Sequence, residues 1–301
     1  MTVFRLHIRP GGGLANPVVS FAYCLQEQVL GVGWQTCSER VITIWDEYEE
    51  EALKEHDDLS RVRYLKDNVQ KGDLIWTRCP AGGYYLAKVL SEWEYYTNKQ
   101  ARDADIVNVV RCQILKVLHV DAVPGKVVAC FRATRAIQRI EGEAISVYSQ
   151  FLWNQLSGTA DYTLPNLKGK NVFPFLGSEA TEDIIFIYLQ IQGWLVVPSS
   201  RKGDTMSYEF YLIHRDTRRR AVVQVKTGDT PLNINEWTGR SELVFLFQAN
   251  GCYGGNSSPE VVCLTTAEIE HFMIMNRDLL PLSTLYWMDY VGLGNITAFL
   301  E

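Results

Sequence analysis

The chain is poor in the features that build metal centres and membrane anchors. Five histidines stand alone at positions 7, 56, 119, 214 and 271 without HxH or HxxxH spacing, so a histidine metal centre or a Cys/His dyad has little support. Seven cysteines, an odd number, are scattered through apolar segments such as VVACF and VVCLT with no CxxC pair. They read as buried free thiols, and they argue against structural zinc. No uninterrupted apolar run of about 18 residues is present, and the first residues lack the apolar stretch of a signal peptide. The expectation is a soluble, cytoplasmic protein with no membrane partner. Positive charge is also scarce: 29 Lys and Arg face 35 Asp and Glu, a net charge of −6. No blanket basic field exists to hold a polyanion, so a nucleic-acid partner has to be gripped by local patches. Internal repeats and low-complexity runs are missing too.

What is present is ordinary globular material. In 301 residues, 47% are hydrophobic and 21% charged, which excludes disorder, collagen and coiled coil and suggests two domains. Turn formers are dense from Leu156 to Asn166, so the expected layout is a first domain over 1–155, a linker over 156–176 and a second domain over 177–301. The first half alternates short strand-like runs with Gly and Pro turns: Phe4 to Pro10, Val41 to Trp45, Leu74 to Thr77, Tyr84 to Val89, Trp93 to Tyr96, Ile106 to Val117 and Lys126 to Ala133. That rhythm predicts a small β-barrel with peripheral helices. The charged stretch from Asp46 to Leu65 reads as a solvated helical insertion. In the second half, Ser178 followed by Glu182 marks a helix start. Strands are expected at 194–198, 206–213, 220–227, 243–248 and 261–264, followed by helix, which makes an α/β or α+β core.

The most informative segment is Gly203-Asp204-Thr205-Met206-Ser207-Tyr208-Glu209-Phe210 with the strand Ala221-Val222-Val223-Gln224-Val225-Lys226. Side chains alternate along a strand, so Gln224 and Lys226 point together. Glu209, across the hairpin, presents a carboxylate to the same side. Glu182 lies two helical turns before Leu189 and so shares the inward stripe, an odd place for a solvated acid. The plainer readings are a cross-strand ion pair between Glu209 and Lys226, a turn role for Asp204 and a capping role for Glu182. Arg215, Arg218, Arg219 and Arg220 form the densest positive cluster, suited either to clamping phosphates beside such a site or to a solvated turn. Gln248 and Tyr253 are candidates for a substrate groove or for loop packing.

Helix-Glu, strand-Glu and QVK in this order resemble the PD-(D/E)XK nuclease superfamily, in particular its Mrr-like branch with Q-x-K as the third motif. The resemblance implies a restriction-endonuclease-like α/β core over about 178–265. It implies that Glu182, Glu209 or Asp204, and Gln224 surround Mg²⁺ or Mn²⁺, with Glu209 and Gln224 as the metal ligands and Lys226 as the catalytic lysine. Gln224 departs from the commoner carboxylate, which leaves room for a non-cleaving site.

In the first half Trp76, Tyr84, Tyr85, Trp93, Tyr95 and Tyr96 crowd into 21 residues, with Trp34 and Trp45 nearby. Strand aromatics build cores, and aromatic faces also hold a flipped or unpaired base. The layout GDLIWTR, YYLAKV, WEYY resembles the PUA-like superfamily, including EVE and YTH-type readers of modified bases. The resemblance implies a base pocket, for which Trp34, Trp76, Trp93 and Tyr85 are the candidates, and a backbone contact through Arg132 and Arg135. A reader joined to a nuclease resembles type IV, modification-dependent restriction enzymes. The combined expectation is a Mg²⁺-dependent endodeoxyribonuclease acting on modified phage DNA in prokaryotic defence, with a homodimer expected because cutting both strands with one site per chain needs two copies. The rivals are a non-catalytic nucleic-acid-binding protein with a degenerate nuclease fold and an RNA-processing nuclease.

Overall fold

The computed structural model describes residues 1–9, 15–38, 40–133, 135–201 and 207–294. It divides into two compact units, Met1–Pro165 and Asn166–Glu301, both mixed α/β. No described helix is long and apolar enough to cross a membrane.

The first unit is built from β1 (Val3–Leu6), α1 (Pro17–Glu27), β2 (Val29–Val32), α2 (Trp45–Ala52), α3 (Ser60–Asn68), β3 (Leu74–Arg78), β4 (Tyr84–Val89), β5 (Glu94–Tyr95), α4 (Lys99–Asp103), β6 (Asn108–Lys116), α5 (Gly125–Cys130), β7 (Ile137–Arg139) and α6 (Glu143–Ser157). The strands run in the order β2-β6-β4-β3-β1-β7. The long β6 is the hinge of this sheet: Asn108 to Arg111 pair with β2, while Cys112 to Lys116 pair with β4. Among the described residues the ladder begins at β2 and ends at β7 without a pairing that closes it into a barrel.

Alternation along β1 and β3 sends Phe4, Leu6 and Ile75 to one face, where they join Tyr48, Leu59, Val62 and Leu65 in the main core. The stretch expected to be a solvated insertion is therefore a pair of amphipathic helices whose apolar stripes are fully buried. The strand expected at 126–133 is the short helix α5. Its run of four apolar residues fits either state; in the structure the Pro124 carbonyl accepts from the Val127 and Val128 N–H groups at 2.9 and 3.1 Å, which closes the first helical turn. The opposite sheet face carries Trp76, wholly buried, whose indole N–H donates to Ser149 of α6 at 3.0 Å.

Residues 156–165 belong to the first unit. Asp161 accepts from Lys88 Nζ at 2.7 Å and from the Trp153 indole at 2.9 Å, and the Tyr162 hydroxyl donates to the Gly72 carbonyl at 2.8 Å. Turn-forming composition thus marks a packed tail, and the break falls after Pro165.

Gly31 is where β2 approaches β6 most closely. A Cβ there would stand 2.2 Å from the Asn108 carbonyl oxygen, a backbone atom that cannot swing aside. Gly31→Ala is expected to destabilise this unit by about 1–3 kcal/mol, read as a lower urea midpoint at unchanged slope.

The second unit comprises α7 (Phe173–Ile191), β8 (Trp194–Val196), β9 (Phe210–His214), β10 (Arg220–Lys226), β11 (Leu232–Asn233), β12 (Leu243–Gln248), β13 (Tyr253–Gly254), β14 (Val261–Leu264), α8 (Thr266–Met275) and α9 (Leu282–Val291). The main sheet has the order β14-β12-β10-β9-β8. β8, β9 and β10 form an antiparallel meander, and β10, β12 and β14 are parallel. α7 is interrupted at Gly177 (φ 77°, ψ 178°), so its regular part runs on from Ser178.

Register divides this sheet cleanly. Phe210, Val223, Val225, Phe245 and Phe247 face α7, where Phe186 meets Phe210 at 5.8 Å and Phe173 meets Phe247 at 5.1 Å. The other face carries Val222, Val244 and Leu246 beneath Leu232 and Trp237.

Candidate functional site

The β9–β10 register pairs Phe210 with Val223, and the Glu209 N–H donates to the Val223 carbonyl at 2.8 Å. Glu209, the residue just before β9, is thereby held against β10 next to Gln224. Their side chains meet: Gln224 Nε2 donates to Glu209 Oε1 at 2.9 Å. Gln224 is 5% exposed and Glu209 half-buried, so the amide is withdrawn from water while the carboxylate keeps a side open to it. Lys226 follows two residues on, same face, exposed at the strand end. No ion pair joins Glu209 to Lys226; the carboxylate is engaged by the amide instead, and the ammonium is left facing solvent.

Glu182 is brought to the same end of the sheet from the other face. α7 leads through a tight turn into β8, which runs antiparallel to β9, so the start of α7 lies over the end of β10. The ring contacts fix the level: Phe173 stands at Phe247, the neighbour across from Val225, and Phe186 at Phe210, across from Val223. Glu182 is half-buried, one turn before Phe186. Asp204 lies outside the described residues.

The loops beyond Lys226 are tied down by Gln248, its partner on β12. The fully buried Gln248 amide donates to the Gly228 carbonyl at 2.6 Å and accepts from the Asn250 N–H at 2.6 Å. Tyr253 donates its hydroxyl to the Leu264 carbonyl at 2.6 Å, and burial pushes its phenol up to about 12. Both side chains are spent on holding backbone. They position the rim of the site and leave no free polar group for a groove.

The arginine tip is separated from this site. Arg215, Arg218, Arg219 and Arg220 are all exposed, and Arg215 pairs with Asp216 at 3.2 Å. A hairpin turn lies at the opposite end of its strands, so Arg220 is six residues from Lys226, about 20 Å at the usual strand rise. The tip is therefore not beside Glu209 and Gln224.

In the first unit the tryptophans are gathered around a residue that the sequence did not single out, Asn108. This amide is fully buried at the start of β6. Its Nδ2 donates to the Gly33 carbonyl at 2.6 Å and to the Tyr48 hydroxyl at 2.9 Å, while its Oδ1 accepts from the Trp93 indole at 3.1 Å. The Tyr48 hydroxyl in turn donates to the Trp34 carbonyl at 2.8 Å. Burial drives the Tyr48 phenol well above its ordinary range, so it stays a donor. Rings close around it: Trp45 and Trp93 are 5.1 Å apart, and Tyr48 is 5.5 Å from each.

Trp34 has φ 65°, a left-handed conformation costly for a bulky side chain. Its indole N–H is anchored on the Asp58 carbonyl at 2.8 Å. Trp34, Trp45 and Trp93 remain half-buried, so each offers part of a ring face. Trp76 is enclosed in the opposite layer and presents no open face. Tyr85, half-buried on β4, meets Phe21 of α1 edge-on at 5.1 Å. Arg132 and Arg135 are exposed between α5 and β7. The polar hub Asn108 had a faint sequence signal, an amide opening the apolar run NVVRCQILK; Tyr48 had none within its acidic helix.

No protein-family model and no curated protein matches the chain. Among solved structures, the DNA modification-dependent restriction endonuclease AspBHI is similar at 11% identity, over 89% of this chain and 81% of that one, with a TM-score of 0.22. Agreement at that level carries no argument, and the chemistry rests on this chain's own residues.

Proposed function

We propose that the second unit is a metal-dependent phosphodiester hydrolase and that the first reads a modified base, so that the chain acts as an endonuclease on modified DNA in prokaryotic anti-phage defence. The observation that carries the hydrolase reading is the Glu209–Gln224 pair with Lys226 beside it and Glu182 at the same sheet end. Among the described residues no three His, Cys, Asp or Glu side chains converge, so the donor set is sparse. It still suits Mg²⁺ or Mn²⁺, which accept one or two carboxylates and complete their shell with water and substrate phosphate. Glu209 Oε2 and Gln224 Oε1 take no part in that bond and would be the oxygens that hold the ion. A bound ion supplies charge withdrawal from the scissile phosphate. Lys226 contributes a fixed positive charge where the attacking oxygen and the pentacovalent phosphate accumulate negative charge. Trp34, Trp45 and Trp93 supply the stacking faces for the base.

One observation favours a non-catalytic reader as the second reading: Gln224 is neutral and already satisfies Glu209 without an ion. Plain, methylated, hydroxymethylated and glucosylated phage DNA incubated with the protein and Mg²⁺ separates the two. Breaks confined to modified DNA are expected, and intact DNA of every kind with retained binding selects the reader.

Gln224→Glu probes the same pair without DNA. Two carboxylates in hydrogen-bond range repel unless one is protonated or an ion bridges them. The variant is expected to lose about 1–3 kcal/mol in chelator and to recover more on Mn²⁺ addition than the natural protein, in thermal melts. Identical melts with and without Mn²⁺ would count against an ion at this pair.

A further inference from the structure

The first unit holds a second polar cluster that neither the base pocket nor the hydrolase site uses. β1 and β3 are parallel with Arg5 opposite Trp76, so side chains 5, 7, 76 and 78 share the sheet face turned away from the tryptophan-ringed Asn108. At the strand ends Arg5 and Arg78 place their guanidiniums 5.6 and 5.3 Å from the centroid of Phe131, and the His7 ring meets the same phenyl edge-on at 5.6 Å. Arg9 Nε donates to His7 Nε2 at 3.3 Å.

No described carboxylate pairs with Arg5, Arg9 or Arg78; the ion pairs of this unit involve Lys54, Arg61, Arg63, Lys66, Lys88 and Arg111. Arg5 is fully buried. It spends Nη1 on the Arg135 and Ala136 carbonyls and Nη2 on Gln138 Oε1 at 2.9 Å. Its Nε–H is buried without a partner, as is His7 Nδ1.

Burial, then Arg9, Arg78 and Arg5, lower the His7 imidazole to about 4, so it is neutral at physiological pH. Because Nε2 accepts from Arg9, the one imidazole proton sits on Nδ1. The cluster therefore holds two buried donors without acceptors and three guanidiniums without counter-charge. An unmade buried hydrogen bond is costly, and like charges repel. A single oxyanion with several acceptor oxygens answers both deficits, and guanidiniums match phosphate geometry especially well.

We propose that Arg5, His7, Arg9 and Arg78 form a phosphate-binding site, with Arg9 and Arg78 reaching the ligand from solvent and Arg5 and His7 closing it from within. Its chemistry is independent of the function proposed above; only the choice of a nucleic-acid backbone as the phosphate source rests on that reading.

Two measurements test it. The His7 imidazole resonances are followed by NMR while inorganic phosphate is added, in the natural protein and in Arg78→Gln. A saturable shift is expected, weakened about tenfold by the substitution, with Arg78→Lys restoring part of it. Duplex binding is then followed by fluorescence anisotropy over a salt series. A backbone source predicts about a tenfold loss in Arg78→Gln, equal on modified and unmodified duplexes, and a salt slope smaller by about 1. Weakened phosphate binding with unchanged duplex affinity also supports the site and assigns it to a small phosphate ester. Absence of a saturable His7 shift, or the same shift in Arg78→Gln with its fold intact by near-ultraviolet circular dichroism, overturns the proposal whatever the protein does to DNA.

Discussion

Replacing Lys226 by alanine is expected to slow DNA cleavage by about 10²–10³-fold in single-turnover assays, the usual loss when one preorganised positive donor is removed from a developing anion. The physical grounds lie in its setting. Lys226 is exposed at the end of β10 and makes no ion pair with Glu209. Its side chain is exposed, so stability should stay within about 0.5 kcal/mol of the natural protein, as for ordinary surface substitutions. A large loss of rate with an unchanged melting curve separates a role in the chemistry from a role in the fold, and equal losses in kcat and kcat/KM mark a group that meets only the transition state. Lys226→Arg should recover little of it, because a planar fork does not replace a compact ammonium at a point of charge. Cleavage by Lys226→Ala at the natural rate would remove this residue from the chemistry.

Asn108→Leu is expected to cost the first unit about 3 kcal/mol or more. The substitution keeps the volume roughly constant but strands the Gly33 carbonyl and the Trp93 indole N–H and removes a donor from the Tyr48 hydroxyl. Each buried polar group left unpaired costs about 1–3 kcal/mol. The same loss releases the constraint that holds Trp34 in its left-handed conformation, since Tyr48 and Asn108 brace the Gly33-Trp34 backbone. Trp93→Phe makes a milder companion: it removes one hydrogen bond and keeps a ring. Urea unfolding followed by tryptophan fluorescence should place Asn108→Leu far below Trp93→Phe. Preference for modified over plain duplex should fall in both. An Asn108→Leu protein as stable as the natural one would mean that the amide is not the hub its bonds describe.

How much of this was legible in the sequence depended on the range of the interaction involved. Strand alternation is local, so the shared face of Gln224 and Lys226 is legible in QVK, and the neighbouring strand expected just before it brings Glu209 to it. The same local logic misplaced the arginine tip. A hairpin's turn is near its strands in sequence, yet at the far end of them in space. Short apolar runs were ambiguous, which is why α5 was expected as a strand. Composition was a poor guide to packing at residues 156–165, where Asp161 and Tyr162 dock through side-chain hydrogen bonds that turn-rich sequence does not reveal. Asn108 and the Arg5–His7–Arg78 cluster are assembled from segments tens of residues apart. No spacing rule finds them, and Trp76 likewise could be assigned to the core only once Ser149 of α6 was seen against its indole.

A hydrolase at this end of the sheet requires Glu209 and Gln224 to hold a divalent ion. Calorimetric titration of Mn²⁺ into the metal-free protein should show one saturable site per chain, weakened about tenfold or more when Glu209 is changed to glutamine, with the fold unaltered. Absence of Mn²⁺ binding, or binding indifferent to Glu209→Gln, would contradict the hydrolase reading and leave the hairpin as a hydrogen-bonded pair of ordinary strand residues.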